Sequence, residues 1–227
     1  MEESQKSPLA AYVVPFGLFM GGLALVAAVR FLGGTALFLA KPEYWVYPLQ
    51  TFVCGGALVF YWRRYDFGKG GAWLAAVAAG LLALALWIAP QFFPGAAPRT
   101  DGFDPTVFSG SPFLYWLTVV ARFARLVVIV PLVEEIFWRG FLMRYLIRED
   151  FGNVPLGAYD FRSFFGVAVL FMLVHQMPDW PAAFLTGLIF NGLLVRTKSL
   201  GACIVAHAVA NLGLGIYIMA TRQWGFW

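Results

Sequence analysis

The sequence predicts an all-α fold, a polytopic membrane helix bundle of about seven or eight transmembrane helices. Three observations carry that reading. Hydrophobic residues make up 61% of the 227 residues and charged residues only 12%, whereas roughly a quarter of the residues in soluble domains are charged. Runs of about 18 or more residues with few or no charges recur along the chain, each long enough to cross a hydrocarbon core as a helix. The basic residues gather at the ends of those runs, where such residues orient a membrane chain. Residues 1–227 therefore read as a single integral membrane domain. The net charge of +4 reports topology, and nucleic acid is not an expected partner.

The first apolar run, from Pro8 to Val29 with the candidate span Leu9–Val29 within it, follows MEESQK, which has no net positive charge. The run is longer than a signal-peptide core and lacks a small-residue cleavage site, so it is expected to stay as the first span. Phe31–Ala40 is too short to cross and holds a glycine pair, which suits a re-entrant or interfacial segment. Tyr44–Trp62 and Ala72–Ala89 are the next spans, and Gln91–Pro105, rich in Pro, Gly and Asp, is a loop. Ser111–Ala121 reads as an interfacial helix ahead of the span Leu126–Met143. Ser163–Met177, Trp180–Val195 and Leu200–Ala220 complete the spans.

With the N-terminus inside, Lys6, Arg63, Arg64, Lys69, Arg144, Arg148, Arg162, Arg196 and Lys198 face the cytoplasm. Arg30, Lys41, Arg99, Arg122, Arg125 and Arg222 fall outside and Arg139 within the membrane, so the positive-inside bias favours this topology. Cys54 and Cys203, the only cysteines, sit inside apolar runs and read as buried thiols rather than a disulfide or metal pair.

Charge is concentrated where it is most costly. Glu134, Glu135, Arg139, His175, His207 and Asn211 all lie in apolar spans, and an intramembrane ionisable group costs roughly 2.5–3.5 kcal/mol on insertion, which makes it a candidate for function. Helical rise of about 1.5 Å per residue, counted from Arg144, Arg162 and Lys198, puts Glu134, His175 and His207 roughly 14–20 Å deep. Three separate helices thus bring polar groups to about the midplane of a 30 Å core.

Glu135 and Arg139 are four apart with the acid first, the favoured helical pairing, while Glu134 is turned about 100° away. Glu135 is then the paired, structural member and Glu134 the chemical one. His207 and Asn211, also four apart, project from one helix face towards a common point, and Phe171 stands one turn before His175. A carboxylate and an imidazole can hold and deprotonate a water, and a second imidazole and an amide can donate to an oxyanion. That is the equipment of a hydrolase without a covalent nucleophile. Two histidines with glutamate also suit zinc, although HExxH is absent. The same residues are compatible with a wholly structural role, with noncatalytic peptide binding and with a proton-coupled carrier. Pro131 is expected to kink its span and free a carbonyl one turn earlier. Arg122 and Arg125, three apart, suit a substrate carboxylate, but their position favours interfacial snorkelling.

EEIFWR (Glu134–Arg139), FMLVH (Phe171–His175) and HAVAN (His207–Asn211) resemble, in order and type, the EExxxR, FxxxH and HxxxN motifs of the CPBP family, the type II CAAX prenyl endopeptidases and their bacterial relatives, also called Abi. The resemblance covers residues 112–220 as a motif-bearing catalytic core. It implies a glutamate intramembrane protease in which Glu134 and His175 activate water, His207 and Asn211 stabilise the oxyanion, and Glu135 and Arg139 fill the supporting positions, with no cofactor and no metal. The implied partner, besides the bilayer, is a membrane-embedded peptide or lipopeptide substrate, and some relatives act in bacteriocin processing or self-immunity. The chain in general, DGFDPT (residues 101–106) included, is similar to a bacterial subgroup found beside exosortase systems, which implies a place in the bacterial inner membrane.

Overall fold

The computed structural model describes residues 8–227 as a bundle of helices; Lys6, placed on the cytoplasmic side by charge, lies outside the described residues. In chain order the helices are α1 (Pro8–Leu32), α2 (Leu37–Ala40), α3 (Glu43–Tyr61), α4 (Trp73–Ile88), α5 (Pro112–Tyr145), α6 (Phe161–Leu173), α7 (Trp180–Thr197) and α8 (Leu200–Thr221). Helices α1, α5 and α8, and α4 with the turn that continues it to Phe92, are each long and apolar enough to cross a membrane, and the protein is an integral membrane protein. Among the described residues the only extended pairing is an isolated bridge between Gly68 and Ser199.

Local sequence sets the ends. Ser111, Asp160 and Ser199 cap α5, α6 and α8 by accepting the backbone N–H of Leu114, Ser163 and Ala202, each satisfying a donor that the first turn leaves open. Pro112 follows its cap at the first helical position, where its missing N–H costs nothing. The α7 helix ends with Lys198 in the left-handed region (φ 55°), and the chain turns straight into α8. That turn is tied to the loop after α3 by Leu200 N–H to the Phe67 carbonyl (3.0 Å) and Lys69 N–H to the Lys198 carbonyl (2.9 Å).

The longest helix, α5, is not a regular α-helix. Arg125–Ile129 and Ile136–Leu142 are wide π segments on either side of Val130–Glu135. Around it α4 packs on α8 and α7, α6 on α7, and α1 on α3. Close approach depends on small residues: a Cβ on Gly80 of α4 would overlap the Ala206 carbonyl of α8. The core these helices enclose is largely aromatic and aliphatic, with Phe171, Phe190, Ile136 and Leu194 fully buried.

Several expectations change. Ser111–Ala121 is not a separate interfacial helix but the first turns of α5, because the capping serine and Pro112 start a helix that nothing interrupts before Tyr145. Arg122 and Arg125 do not snorkel; they are 4% and 5% exposed and turned into the bundle. Arg144, expected at a cytoplasmic helix end, has a buried side chain, with Nε donating to the Gly140 carbonyl (2.6 Å) and Nη2 to the Tyr12 hydroxyl (3.5 Å). The expected span Ser163–Met177 is cut short: α6 ends at Leu173, so its 13 residues rise only about 20 Å. Phe31–Ala40 divides, with Phe31 and Leu32 ending α1, Gly33 and Gly34 at positive φ breaking it, and α2 forming one turn without a buried residue. That segment lies at the surface of the bundle. Cys54 and Cys203 are free and buried, as expected.

Candidate functional site

The centre of the bundle is organised by Arg139. Its guanidinium is fully buried and gives Nη1 to Glu135 Oε1 (3.0 Å), Nε to Asn191 Oδ1 (3.0 Å) and Nη2 to the Gly187 carbonyl (3.4 Å). Its face lies over the Phe171 ring at 4.8 Å. The i, i+4 pairing read from sequence is therefore present, and α7 completes it. Asn191 in turn donates to the Phe164 carbonyl of α6 (2.8 Å), so the buried ion pair fixes α5, α6 and α7 relative to one another. Sequence reasoning passed over Asn191; its signal was an amide inside the apolar run of α7.

Glu135 has a second partner that the spacing did not reveal. His207 Nδ1 lies 2.8 Å from the same Oε1 that Arg139 holds. A carboxylate accepts, so the Nδ1 proton belongs to His207, and Nε2 is its remaining ring nitrogen. His207 and Asn211 have different partners within the protein: Asn211 Nδ2 donates to the Leu126 carbonyl (2.8 Å).

That bond has a cause in α5. In its first π segment the Val130 N–H returns to the Arg125 carbonyl, an i→i+5 bond. The next bond of that ladder would run from residue 131 to Leu126, and residue 131 is proline, which has no N–H. Pro131 thus frees a carbonyl, as expected, but the π geometry makes it that of Leu126, and Asn211 supplies the missing donor.

His175 stands two residues past the end of α6, not within a helix as expected. Its Nδ1 is 2.6 Å from the Phe171 carbonyl and its ring is 4.7 Å from the Phe171 ring. Since a carbonyl only accepts, Nδ1 carries a proton, and in the neutral ring Nε2 keeps its lone pair. Trp87 packs edge-on against the ring at 5.5 Å and is itself held by Thr186. Trp180 donates to the His175 carbonyl (3.1 Å).

Glu134 projects away from Glu135, as the helix angle predicts. It is buried, its Oε2 has no hydrogen-bond partner, and it lines a cavity of about 330 Å³. His175, His207 and Asn211 line the same cavity. It runs on past Arg125 and Arg122 to Phe226 and Trp227, at the end of the bundle where α5 begins and α8 stops. Among the described residues no group of three or more His, Cys, Asp or Glu side chains is arranged to hold a metal ion. The chemistry the arrangement can perform is that of a carboxylate with an unpartnered oxygen that shares with two imidazoles a chamber walled mostly by apolar side chains.

Comparison of the chain with curated proteins and with solved structures gave no match. Residues 112–213 match the family model described as type II CAAX prenyl endopeptidase Rce1-like. The matched region holds all six residues of the site and does not include DGFDPT, and the match does not extend to the exosortase-associated subgroup. With its three motifs in order and that match over them, residues 112–213 are similar to the CPBP family of CAAX-type membrane proteases.

Proposed function

We propose that this protein hydrolyses a peptide bond in a membrane-embedded or lipid-anchored substrate with a water activated by Glu134 and His175. The observation that carries the reading is that Glu134, His175, His207 and Asn211, drawn from three separate parts of the chain, line one cavity while Glu135 and Arg139 are sealed behind it.

The roles follow from what each group is free to do. Glu134 has an unpartnered carboxylate oxygen on the cavity and takes the water proton as hydroxide adds to the scissile carbonyl carbon. His175, with Nδ1 occupied by the Phe171 carbonyl, presents Nε2 as an acceptor that orients the same water. The carbonyl π electrons move onto oxygen, and the oxyanion is met by His207 Nε2–H and by the second N–H of the Asn211 amide. In this role His207 acts as an imidazolium, with its other proton held by Glu135. Collapse of the tetrahedral intermediate expels the amine, which takes the proton stored on Glu134 and leaves the enzyme unchanged.

The test is cleavage of a panel of lipid-anchored peptides by protein reconstituted in bilayer nanodiscs, followed by mass spectrometry with and without a chelator. Cleavage that survives the chelator is the expected result. Chelator-sensitive cleavage would put a metal in place of the paired-base scheme, and peptide binding without cleavage would make the chain a binding protein.

A further inference from the structure

His175 stands outside any helix, in the six-residue connection 174–179 between α6 and α7. Val174, Gln176, Met177 and Pro178 of that connection are exposed, so little apolar packing holds it in place. Trp180 ties the His175 carbonyl to the start of α7 (3.1 Å). What fixes the connection at its far end is its last residue, Asp179, whose N–H returns to the Gln176 carbonyl (2.8 Å).

Asp179 precedes the first turn of α7, where an aspartate ordinarily accepts a backbone N–H of that turn. Its side chain makes no such bond. Both carboxylate oxygens go instead to Arg99, 80 positions away, Oδ1 accepting from Nη1 (2.6 Å) and Oδ2 from Nη2 (3.1 Å), the planar fork a guanidinium makes with a carboxylate. Arg99 is in turn fixed from three sides. Its N–H donates to Gln223 Oε1 (3.3 Å), its carbonyl accepts from the Gly225 N–H (2.8 Å), and its guanidinium lies over the Phe226 ring at 4.2 Å. Gln223 donates to the Tyr217 hydroxyl of α8 (2.8 Å). The two backbones are pressed together, since a Cβ on Gly102 would overlap the Trp224 carbonyl. Arg99 thus joins the loop after α4 and the turn after α8 to the connection that carries His175, and Gln176, Asp179, Gly225 and Phe226 line the same cavity as His175.

We propose that Arg99 is a positioning residue for His175: its fork to Asp179 clamps the 174–179 connection onto the turn after α8 and so keeps the imidazole on the cavity. That the imidazole orients a water rests on the protease reading; that the clamp sets its place does not. Released from Arg99, the Asp179 carboxylate is free to turn back on α7. Pro181 has no N–H to offer there, so the Ala182 N–H is the donor within its reach, and the swing towards it draws the connection along. Arg99 lies outside the residues that match the family model, so the clamp is a feature of this chain.

The chain has two histidines, so ¹⁵N-histidine labelling of protein without a polyhistidine tag gives two rings to follow by NMR. The measurement is made in phosphatidylcholine nanodiscs at about pH 8, where an ordinary imidazole is neutral, and His175→Gln assigns the signals by subtraction. In the wild type His175 is expected as a single Nδ1–H tautomer, because the Phe171 carbonyl accepts that proton. In Arg99→Gln and in Asp179→Asn its signals are expected to shift towards the averaged pattern of a mobile ring, while those of His207, held by Glu135, stay unmoved. Arg99→Lys, which keeps the charge but not the fork, is expected to retain part of the wild-type pattern. A His175 ring unmoved in both Arg99→Gln and Asp179→Asn overturns the proposal. Equal disturbance of both histidines also overturns it, since a clamp local to His175 would spare His207. Where a peptide is turned over, Arg99→Gln is expected to lower kcat about 10²-fold with KM nearly kept, the cost of a reacting group misplaced by about 1 Å. The rings are read without turnover, so a His175 ring that moves in a protein that never cleaves would leave the clamp standing and contradict the protease reading alone.

Discussion

Replacing Arg139 with methionine tests the organisation of the site at its most buried point. Arg139→Met removes three donors at once and leaves Glu135, itself fully buried, with only His207, and Asn191 Oδ1 with nothing. Stranding one member of a buried ion pair costs about 3–5 kcal/mol, and an unsatisfied buried amide oxygen adds about 1–3 kcal/mol. Methionine fills much of the volume, so no large cavity term is added. The sum, roughly 4–8 kcal/mol, is comparable with the whole stability of a typical domain. At about 2–4 °C per kcal/mol for a chain of this size, the unfolding midpoint in detergent should fall by at least about 10 °C. Glu135→Leu combined with Arg139→Met removes both charges, and replacing both members of a buried pair is often close to neutral. The double variant should therefore recover at least about half of the lost stability, although His207 loses its partner. A single Arg139→Met variant that unfolds within about 2 °C of the wild type, or a double variant that is worse than the single, would refute the reasoning.

Three further outcomes are expected. Asn211→Ala should lower stability by about 1–3 kcal/mol through the orphaned Leu126 carbonyl, and adding Pro131→Ala, which restores an N–H to that ladder, should recover part of the loss in the same thermal assay. Glu134→Gln should unfold within about 1 kcal/mol of the wild type, since it alters an oxygen that has no partner to lose. Gly80→Ala should push α4 from α8 and destabilise by about 1–3 kcal/mol, measured by thermal unfolding, because its Cβ would meet backbone rather than a movable side chain.

The Glu135–Arg139 pair and the outward turn of Glu134 were legible in the sequence because both depend only on helical spacing, which local chemistry fixes. His207 and Asn211 were legible as residues on one helix but not as partners. Where each side chain ends is decided by α5, through a carboxylate and a carbonyl whose positions depend on a π segment that spacing rules do not anticipate. The Arg122 and Arg125 positions were judged from depth, which is a one-dimensional quantity. Counted from Arg144 they fall about 28–33 Å away, near the far edge of a 30 Å core, and an arginine there can face lipid headgroups or the bundle. The aromatic rings of Tyr47, Phe103 and Trp227 decide that direction, and they come from three other parts of the chain. Asn191 and Gln50, which hold Arg139 and Arg125, were visible only as amides in apolar runs.

The central claim is that Glu134 activates the water that cleaves the substrate. The most direct measurement is cleavage of one lipid-anchored peptide in ¹⁸O-labelled water by wild type and Glu134→Gln side by side, with the product carboxylate weighed by mass spectrometry. The account predicts labelled product from the wild type and, with a general base worth about 10²–10⁴ in rate, little or none from the variant. Equal amounts of product from the two proteins would contradict it.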